Sequence, residues 1–368
     1  MTRSTARLTA LALAGTALAG SGAALAAQSA SATTATTVTT VTAGVPTAGT
    51  TALGWSAAIR HQSNFGDGKG TLVLVPPTGG IMTMGAVSDD ASVSDVSQDA
   101  RKVLTARFQT GEGLRVTVWD TATRTPTYFR VAGPNSVIEV RFGGDGILVK
   151  RDGKIESRTL SGTLVRSYTA PSSLGSLEVS PNGATTYWSI GDSIQQRDAK
   201  TGALQKTYAV PTAYRGAAGD CWTSGTWDST SLRLACTGDG VGTEQTFRLV
   251  RSTGQSTAIG PANSAIAFPT SPKWMAKQNR GNDSAIGFMY GSGFVELTGY
   301  FGLGSPSITG AYSNLAYVNN FQSGAASTPA YLWLGKYDIS TNTMTRLAGA
   351  GSSSGGVITQ AQTVDGHH

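Results

Sequence analysis

The chain has 368 residues, of which 14% are charged and 47 are glycine, and its formal net charge is +6. The positive excess is diffuse, with no cluster of Lys or Arg, so nucleic acid is not an expected partner. So many glycines suit tight turns between strands, and no long stretch has helical period, which excludes a helical protein.

In chain order, residues 1–26 carry Arg3 and Arg7, the apolar run LTALALAGTALAG, and small residues ending Ala24-Leu25-Ala26. This is the three-part pattern of a secretory signal peptide, with an apolar core too short and alanine-rich to be a good membrane span. No Arg-Arg pair is present and no cysteine follows the apolar run, which points to Sec-type export without a lipid anchor. Loss of Arg3 and Arg7 lowers the formal charge from +6 to +4. The expected location is extracellular or in the cell envelope, with no membrane span after cleavage. Residues 27–51 are almost all Ala, Thr, Ser and Val, and read as a linker with too little to bury to offset its ordering entropy. The competing reading is that TTVTTV adds an outer strand.

Residues 52–368 read as one all-β body. LGWSAAIRHQ, TLVLVPP and IMTMGAV come first as three strands. The clearest unit is Leu174 to Val210, where GSLEV, TTYWSI, SIQQRDA and LQKTYAV alternate apolar and polar residues and are separated by Ser180-Pro181-Asn182-Gly183, Gly191-Asp192 and Lys200-Thr201-Gly202. One such unit cannot bury its own faces, but copies stacked around an axis can. The turn between first and second strands recurs as Ser97-Gln98-Asp99-Ala100, Gly143-Gly144-Asp145-Gly146, Ser180-Pro181-Asn182-Gly183, Trp227-Asp228-Ser229, Ser271-Pro272, Ser313-Asn314 and Val364-Asp365-Gly366. The average spacing is about 44 residues, matching the ~40 to 45 residues of a four-stranded blade. The seventh copy has nothing after its turn, so the C-terminal strand is expected to join the three N-terminal strands as the innermost strand of one blade. The expected fold is a single seven-bladed β-propeller of four-stranded antiparallel blades, closed by its C-terminal strand.

The strings VSPNG and VSQDA after an apolar strand resemble the Ser-Pro-Asp-Gly turn of the WD40-like repeats in TolB-type periplasmic and secreted bacterial propellers. The full Ser-Pro-Asp-Gly string does not occur, and Trp119-Asp120 only hints at the Trp-Asp blade ending. The resemblance therefore implies repeat architecture, and does not carry over TolB's partners.

Chemistry-bearing residues are sparse. Of 3 histidines only His61 lies in the body, which argues against a His-based metal centre, a Ser-His-Asp triad or His-dependent lyase chemistry. No Gly-x-Ser-x-Gly elbow of the kind propeller peptidases carry on a separate hydrolase domain is read here, and the sialidase Asp-box is absent. Among 22 Asp and Glu no catalytic pair is singled out by spacing. No cofactor and no metal are expected. Trp119, Trp188 and Trp333 are expected to pack between blades, and Trp222 and Trp227 to be core as well.

Cys221 and Cys236 are the only cysteines, and in an exported protein such a pair is expected to be bridged. A hairpin turning at Asp228-Ser229 would set the two directly opposite each other.

In a four-stranded blade the second-to-third connections and the blade-to-blade connections share one face of the disc. Four such connections pair an amide with glycine, and three add a phenylalanine. They contribute Asn279, Arg280, Asn282 and Asp283, then Asn320, Phe321 and Gln322, then His61, Asn64, Phe65 and Asp67, then Phe108 and Gln109. Amides supply donors and acceptors and an exposed ring supplies an apolar platform, a combination suited to a glycan or an extended peptide. The expected function is that of an exported, monomeric, non-enzymatic module binding a protein, peptide or glycan on this face. The alternative is a lyase or glycan hydrolase using carboxylates on the same face.

Overall fold

The computed structural model describes residues 44–62, 70–88, 90–109, 112–132, 139–151, 153–216, 219–238, 244–261, 264–268, 271–280, 283–290, 293–297, 306–320, 332–349 and 357–364. The strands are β1 (Ser56–His61), β2 (Gly70–Val75), β3 (Met82–Val87), β4 (Ser92–Val96), β5 (Lys102–Gln109), β6 (Gly113–Asp120) and β7 (Thr125–Val131). They continue as β8 (Glu139–Gly143), β9 (Gly146–Arg151), β10 (Lys154–Arg158), β11 (Leu164–Thr169), β12 (Leu174–Val179), β13 (Thr185–Ile190), β14 (Ser193–Asp198) and β15 (Leu204–Ala209). Then come β16 (Gly219–Asp228), β17 (Ser231–Gly238), β18 (Gln245–Val250), β19 (Ser256–Gly260), β20 (Ser264–Phe268), β21 (Ser271–Arg280), β22 (Asp283–Tyr290) and β23 (Gly293–Glu296). The last five are β24 (Ser307–Tyr312), β25 (Leu315–Asn320), β26 (Trp333–Asp338), β27 (Thr343–Gly349) and β28 (Val357–Thr363).

These strands form seven four-stranded sheets: β28 with β1 to β3, then β4 to β7, β8 to β11, β12 to β15, β16 to β19, β20 to β23 and β24 to β27. The innermost strands touch in sequence around a ring, β4 to β8 to β12 to β16 to β20 to β24 to β28 and back to β4. The protein is a seven-bladed propeller whose C-terminal strand pairs with β1 and closes the ring, as the repeat spacing predicts.

The repeating turn has a local cause. In Ser97-Gln98-Asp99-Ala100 the Ser97 hydroxyl donates to Asp99 Oδ1 at 2.8 Å and accepts from the Lys102 amide at 2.8 Å. In Ser180-Pro181-Asn182-Gly183 the Ser180 hydroxyl donates to Asn182 Oδ1 at 2.7 Å and accepts from the Thr185 amide at 2.9 Å. Serine first and Asp or Asn third thus hold the turn by one side-chain pair and by side-chain-to-backbone bonds. The fourth residue is left-handed, with φ 49° at Ala100 and 71° at Gly183. One marker falls elsewhere: Ser271 already pairs with Phe268, so the turn precedes Ser271-Pro272. Proline at the start of a strand costs no needed hydrogen bond, so β21 extends back through it.

The core lies between blades. Ile59, Leu72 and Leu74 of one blade pack with Val93, Val103 and Trp119 of the next, and Ala58 and Val73 pack on the other side with Tyr317 and Leu334. Second strands are covered on both faces, as in β13, where Tyr187 and Trp188 are each 1% exposed, whereas the outermost β11 is almost wholly exposed. Trp119, Trp188 and Trp333 are buried, and Trp222 is half-buried. The Trp227 side chain is outside the described residues.

Cys221 and Cys236 are bridged, with Cα atoms 4.1 Å apart, directly opposite each other in the β16–β17 pair. The turn itself differs from the mirror point read in the sequence. Asp228 pairs with Ser231, which sets the turn at Ser229-Thr230, and two register shifts between Thr223 and Asp228 restore the cysteine pairing. Extra residues accommodated in one strand of a hairpin do this without breaking the sheet.

Residues 1–26 and the TTVTTV stretch lie outside the described residues. The described end of the linker docks without forming a strand: the Gly49 amide donates to Asp99 Oδ2 at 3.1 Å, Ala52 to the Gln98 carbonyl at 2.7 Å, and Arg101 Nη1 to the Pro46 carbonyl at 3.0 Å. Among the described residues no helix is long and apolar enough to cross a membrane.

Candidate functional site

All four predicted connections join second to third strands: β1 to β2, β5 to β6, β21 to β22 and β25 to β26. His61 ends β1 and Asn320 ends β25, and both side chains are fully buried. Phe108 is 41% exposed and Gln109 half-buried at the end of β5. Arg280, next to Asn279 at the end of β21, pairs with Asp283 across the turn. Asn64, Phe65, Asp67, Asn282, Phe321 and Gln322 lie outside the described residues, as do the side chains of Asn279, Arg280 and Asp283.

Beside this face is a cleft that the sequence reading missed. It opens between the blade of β1 to β3 and the blade of β4 to β7, encloses about 710 Å³, and begins at Gln62, immediately after β1. Thr71, Val87 and Ser88 line one wall, and Thr105, Arg107, Arg115, Thr117 and Trp119 line the other. Register explains the second wall: Thr105 pairs with Thr117, Arg107 with Arg115, and Val103 with Trp119, so all face the same neighbour. The Trp119 indole donates to Thr105 Oγ1 at 3.2 Å, and its ring fills the space over Gly85, where a Cβ would come within 2.7 Å of it. Residues alternating along TARF and GLRVTVW were visible in the sequence, but not which blade would face them.

A second cavity of about 640 Å³ follows the axis and reaches the opposite face, where the first-to-second turns lie. Asp95 on β4, Arg141 on β8 and Glu178 on β12 project into it, joined by Gln362 on β28. Each stands two residues before its turn marker, so the repeat phase held the signal. Asp95 accepts from the amides of Val96 at 2.8 Å and Phe142 at 2.7 Å. Arg141 reaches Glu178 at 3.4 Å and donates to the Ser94 carbonyl at 3.2 Å. Burial pushes the Asp95 and Glu178 carboxyls above their ordinary range against the opposing charge of Arg141, while the Glu178 charge pushes the Arg141 guanidinium up. Next to them Glu139 accepts from the Leu177 amide at 2.8 Å and pairs with Lys150 at 2.9 Å. The bonds of Phe142 to Asp95, Arg141 to Ser94 and Glu178, and Leu177 to Glu139 cross from blade to blade, so the channel charges also stitch the ring.

Among the described residues no group of three or more His, Cys, Asp or Glu is placed to hold a metal. The letters Gly351-Ser352-Ser353-Ser354-Gly355 satisfy the spacing of a nucleophile elbow, but strand β28 follows them where the elbow requires a helix.

No protein-family model matches the chain, and no curated protein matches it in sequence. Its likeness is to solved structures. It matches an acylaminoacyl peptidase at 13% identity and TM-score 0.52, covering 80% of this chain and 51% of that one. It matches the Pyrococcus horikoshii acylaminoacyl peptidase at 12% identity and TM-score 0.50, covering 79% and 52%. The chain thus spans about half the length of these peptidases. TolB from Acinetobacter baumannii matches at 14% identity and TM-score 0.49, covering 85% and 67%. At such identities the likeness is one of fold, that of a β-propeller built of four-stranded blades.

Proposed function

We propose that the protein is an exported, monomeric binding module that engages a protein, peptide or glycan on the face bearing the second-to-third connections. The observation that carries the reading is the 710 Å³ cleft beginning at Gln62 beside those connections. Its volume suits ligand capture, and its walls mix amide, hydroxyl, guanidinium and aromatic groups without a catalytic constellation. Of the predicted contact set, Phe108 is exposed at the end of β5 on the sheet face opposite Arg107, Gln109 is half-buried beside it, and His61 and Asn320 are fully buried; Asn64, Phe65, Asp67, Asn279, Arg280, Asn282, Asp283, Phe321 and Gln322 are the others. Export is supported by the Cys221–Cys236 bridge, since such bonds persist in oxidising compartments.

The enzymatic reading draws on Asp95 and Glu178, whose carboxyls burial raises above their ordinary range. Both line the channel toward the opposite face, and Asp95 already accepts two backbone amides, which suits a structural role better than proton transfer.

The test is an array of oligosaccharides and peptides probed with the chain from Ala27 onward, followed by titration of each hit. Joint replacement of Asn64, Phe65, Phe108 and Phe321 by alanine is expected to weaken a hit by tenfold or more. A hit that survives this change but is lost in Arg141→Gln would move the site to the channel and overturn the reading.

A further inference from the structure

The cleft between the first two blades carries an unusual charge pattern on one wall. Arg107 on β5 pairs directly with Arg115 on β6, and Arg115 pairs directly with Arg130 on β7. Three guanidinium groups therefore stand in a row across adjacent strands, on the side that faces the cleft. Like charges directly opposite each other in a sheet repel, so such a row is unfavourable unless anions meet it. Two partners are present: Asp90 holds Arg107 at 2.8 Å, and Glu112 pairs with Arg130. The central Arg115 makes no ion pair among the described residues. It lies 4.2 Å over the ring of Tyr128, which is itself 59% exposed. Stacking fixes the guanidinium plane and leaves its edge free for two parallel hydrogen bonds to an oxyanion.

We propose that this cleft binds an acidic saccharide, with Arg115 and Arg107 receiving its carboxylate or sulfate group. The inference rests on the binding reading of this face and adds the ligand's chemistry. The walls decide between a saccharide and an acidic peptide. They are sheet faces, which present side chains rather than backbone, and the unpaired outer edges of these two blades belong to the outermost strands β3 and β7, whose free backbone groups point along the sheet plane and not into the space between the faces. What the walls offer is side chains: the guanidinium groups, the hydroxyls of Thr71, Thr105 and Thr117, and the Gln62 amide. Hydroxyls and amides beside a stacked ring match the alternating polar and apolar surfaces of a sugar.

The experiment titrates the chain from Ala27 onward with sulfated dextran oligosaccharides, oligogalacturonate, unsulfated dextran of equal length, and a poly-glutamate peptide. Arg115→Gln is compared with Arg166→Gln, an exposed arginine on β11 that removes the same charge far from the cleft. At least one acidic saccharide is expected to bind, unsulfated dextran at least tenfold more weakly, and Arg115→Gln to lose roughly tenfold where Arg166→Gln loses little. Circular dichroism melting of Arg115→Gln is expected to match the parent, since the change relieves repulsion. Equal losses in the two variants, tighter binding of poly-glutamate, or no binding of either acidic saccharide would overturn the proposal. Binding of a neutral saccharide that depends on Phe108 but not on Arg115 would overturn it while leaving the binding role of the face intact.

Discussion

The hydroxyls of Ser56 and Thr363, 307 positions apart in the chain, share a hydrogen bond of 2.7 Å. Thr363 Oγ1 also meets Thr309 Oγ1 of the preceding blade at 2.8 Å. Around them the Gly54 amide donates to the Val364 carbonyl at 2.9 Å and the Val364 amide to the Trp55 carbonyl at 2.8 Å. One residue thus joins the two ends of the body to each other and to the blade before them.

Deleting residues 356–368 should therefore open the ring. Ile358 is fully buried and Val364 is 6% exposed, and their burial alone contributes about 3–6 kcal/mol. The expected result in differential scanning calorimetry is a fall in Tm of roughly 10 °C or more, together with a tendency to aggregate through the exposed edge of β1. An unchanged Tm would show that the pairing of β28 with β1 does not hold the ring.

The Cys221–Cys236 bridge closes a loop of 15 residues, worth about 3 kcal/mol on the chain-entropy account. Replacing both cysteines by alanine should lower the chemical denaturation free energy by about that amount. In protein recovered from an oxidising compartment, alkylation under non-reducing denaturation should add no mass. Two added labels would show both thiols free.

Gly85 is held to glycine by Trp119, whose ring atoms would lie 2.7 and 2.8 Å from an added Cβ. The ring cannot swing away freely, because its indole is bonded to Thr105 and it packs in the inter-blade core. Gly85→Ala is expected to cost about 1–3 kcal/mol, read as a drop in Tm of several degrees. A variant as stable as the parent would mean that the two blades separate here more easily than their packing indicates.

What could be read from the sequence divides along the same line as local and non-local physics. The blades were legible because Ser97 with Asp99 and Ser180 with Asn182 build their turns from residues within a few positions of one another. Pairing of Cys221 with Cys236 was legible too, although the turn lies one residue further on and two register shifts compensate. The cleft was not legible, since Arg107 and Arg115 acquire a meaning only when a blade from elsewhere in the chain supplies the opposite wall. Asp95, Arg141 and Glu178 lie between these cases. They occupy one repeat position, so aligning the blades on their turns gathers all three into a single column of the repeat.

The channel charges make the last prediction. Asp95 and Glu178 have folded pKa values raised by burial, opposed by Arg141. Between the unfolded carboxyl value near ~4 and the raised folded value, the native state holds protons that the unfolded chain releases, so these two groups lose stability as pH rises through that window. Arg141→Gln removes the compensating charge, pushes both carboxyls higher and deepens the loss at neutral pH. Because Arg141 and Glu178 are 27% and 22% exposed toward the channel, the cost at pH 7 is set at about 2–3 kcal/mol, below that of a fully buried pair. As pH falls through and below that window both carboxyls take up protons in either protein, and the difference should shrink toward the loss of the Ser94 hydrogen bond, about 1 kcal/mol. Absolute melting temperatures do not isolate this effect. Asp120, held well below the ordinary range by its hydrogen bond to Lys102, and Glu156, whose burial is outweighed by Arg158 and Arg151, both lose stability on acidification. The quantity to measure is the Tm of the parent minus that of the variant at each pH, in which those contributions cancel. A difference that stays constant from pH 7 to pH 4 would show that Arg141 supports the ring by packing and hydrogen bonding rather than by neutralising the carboxylates beside it.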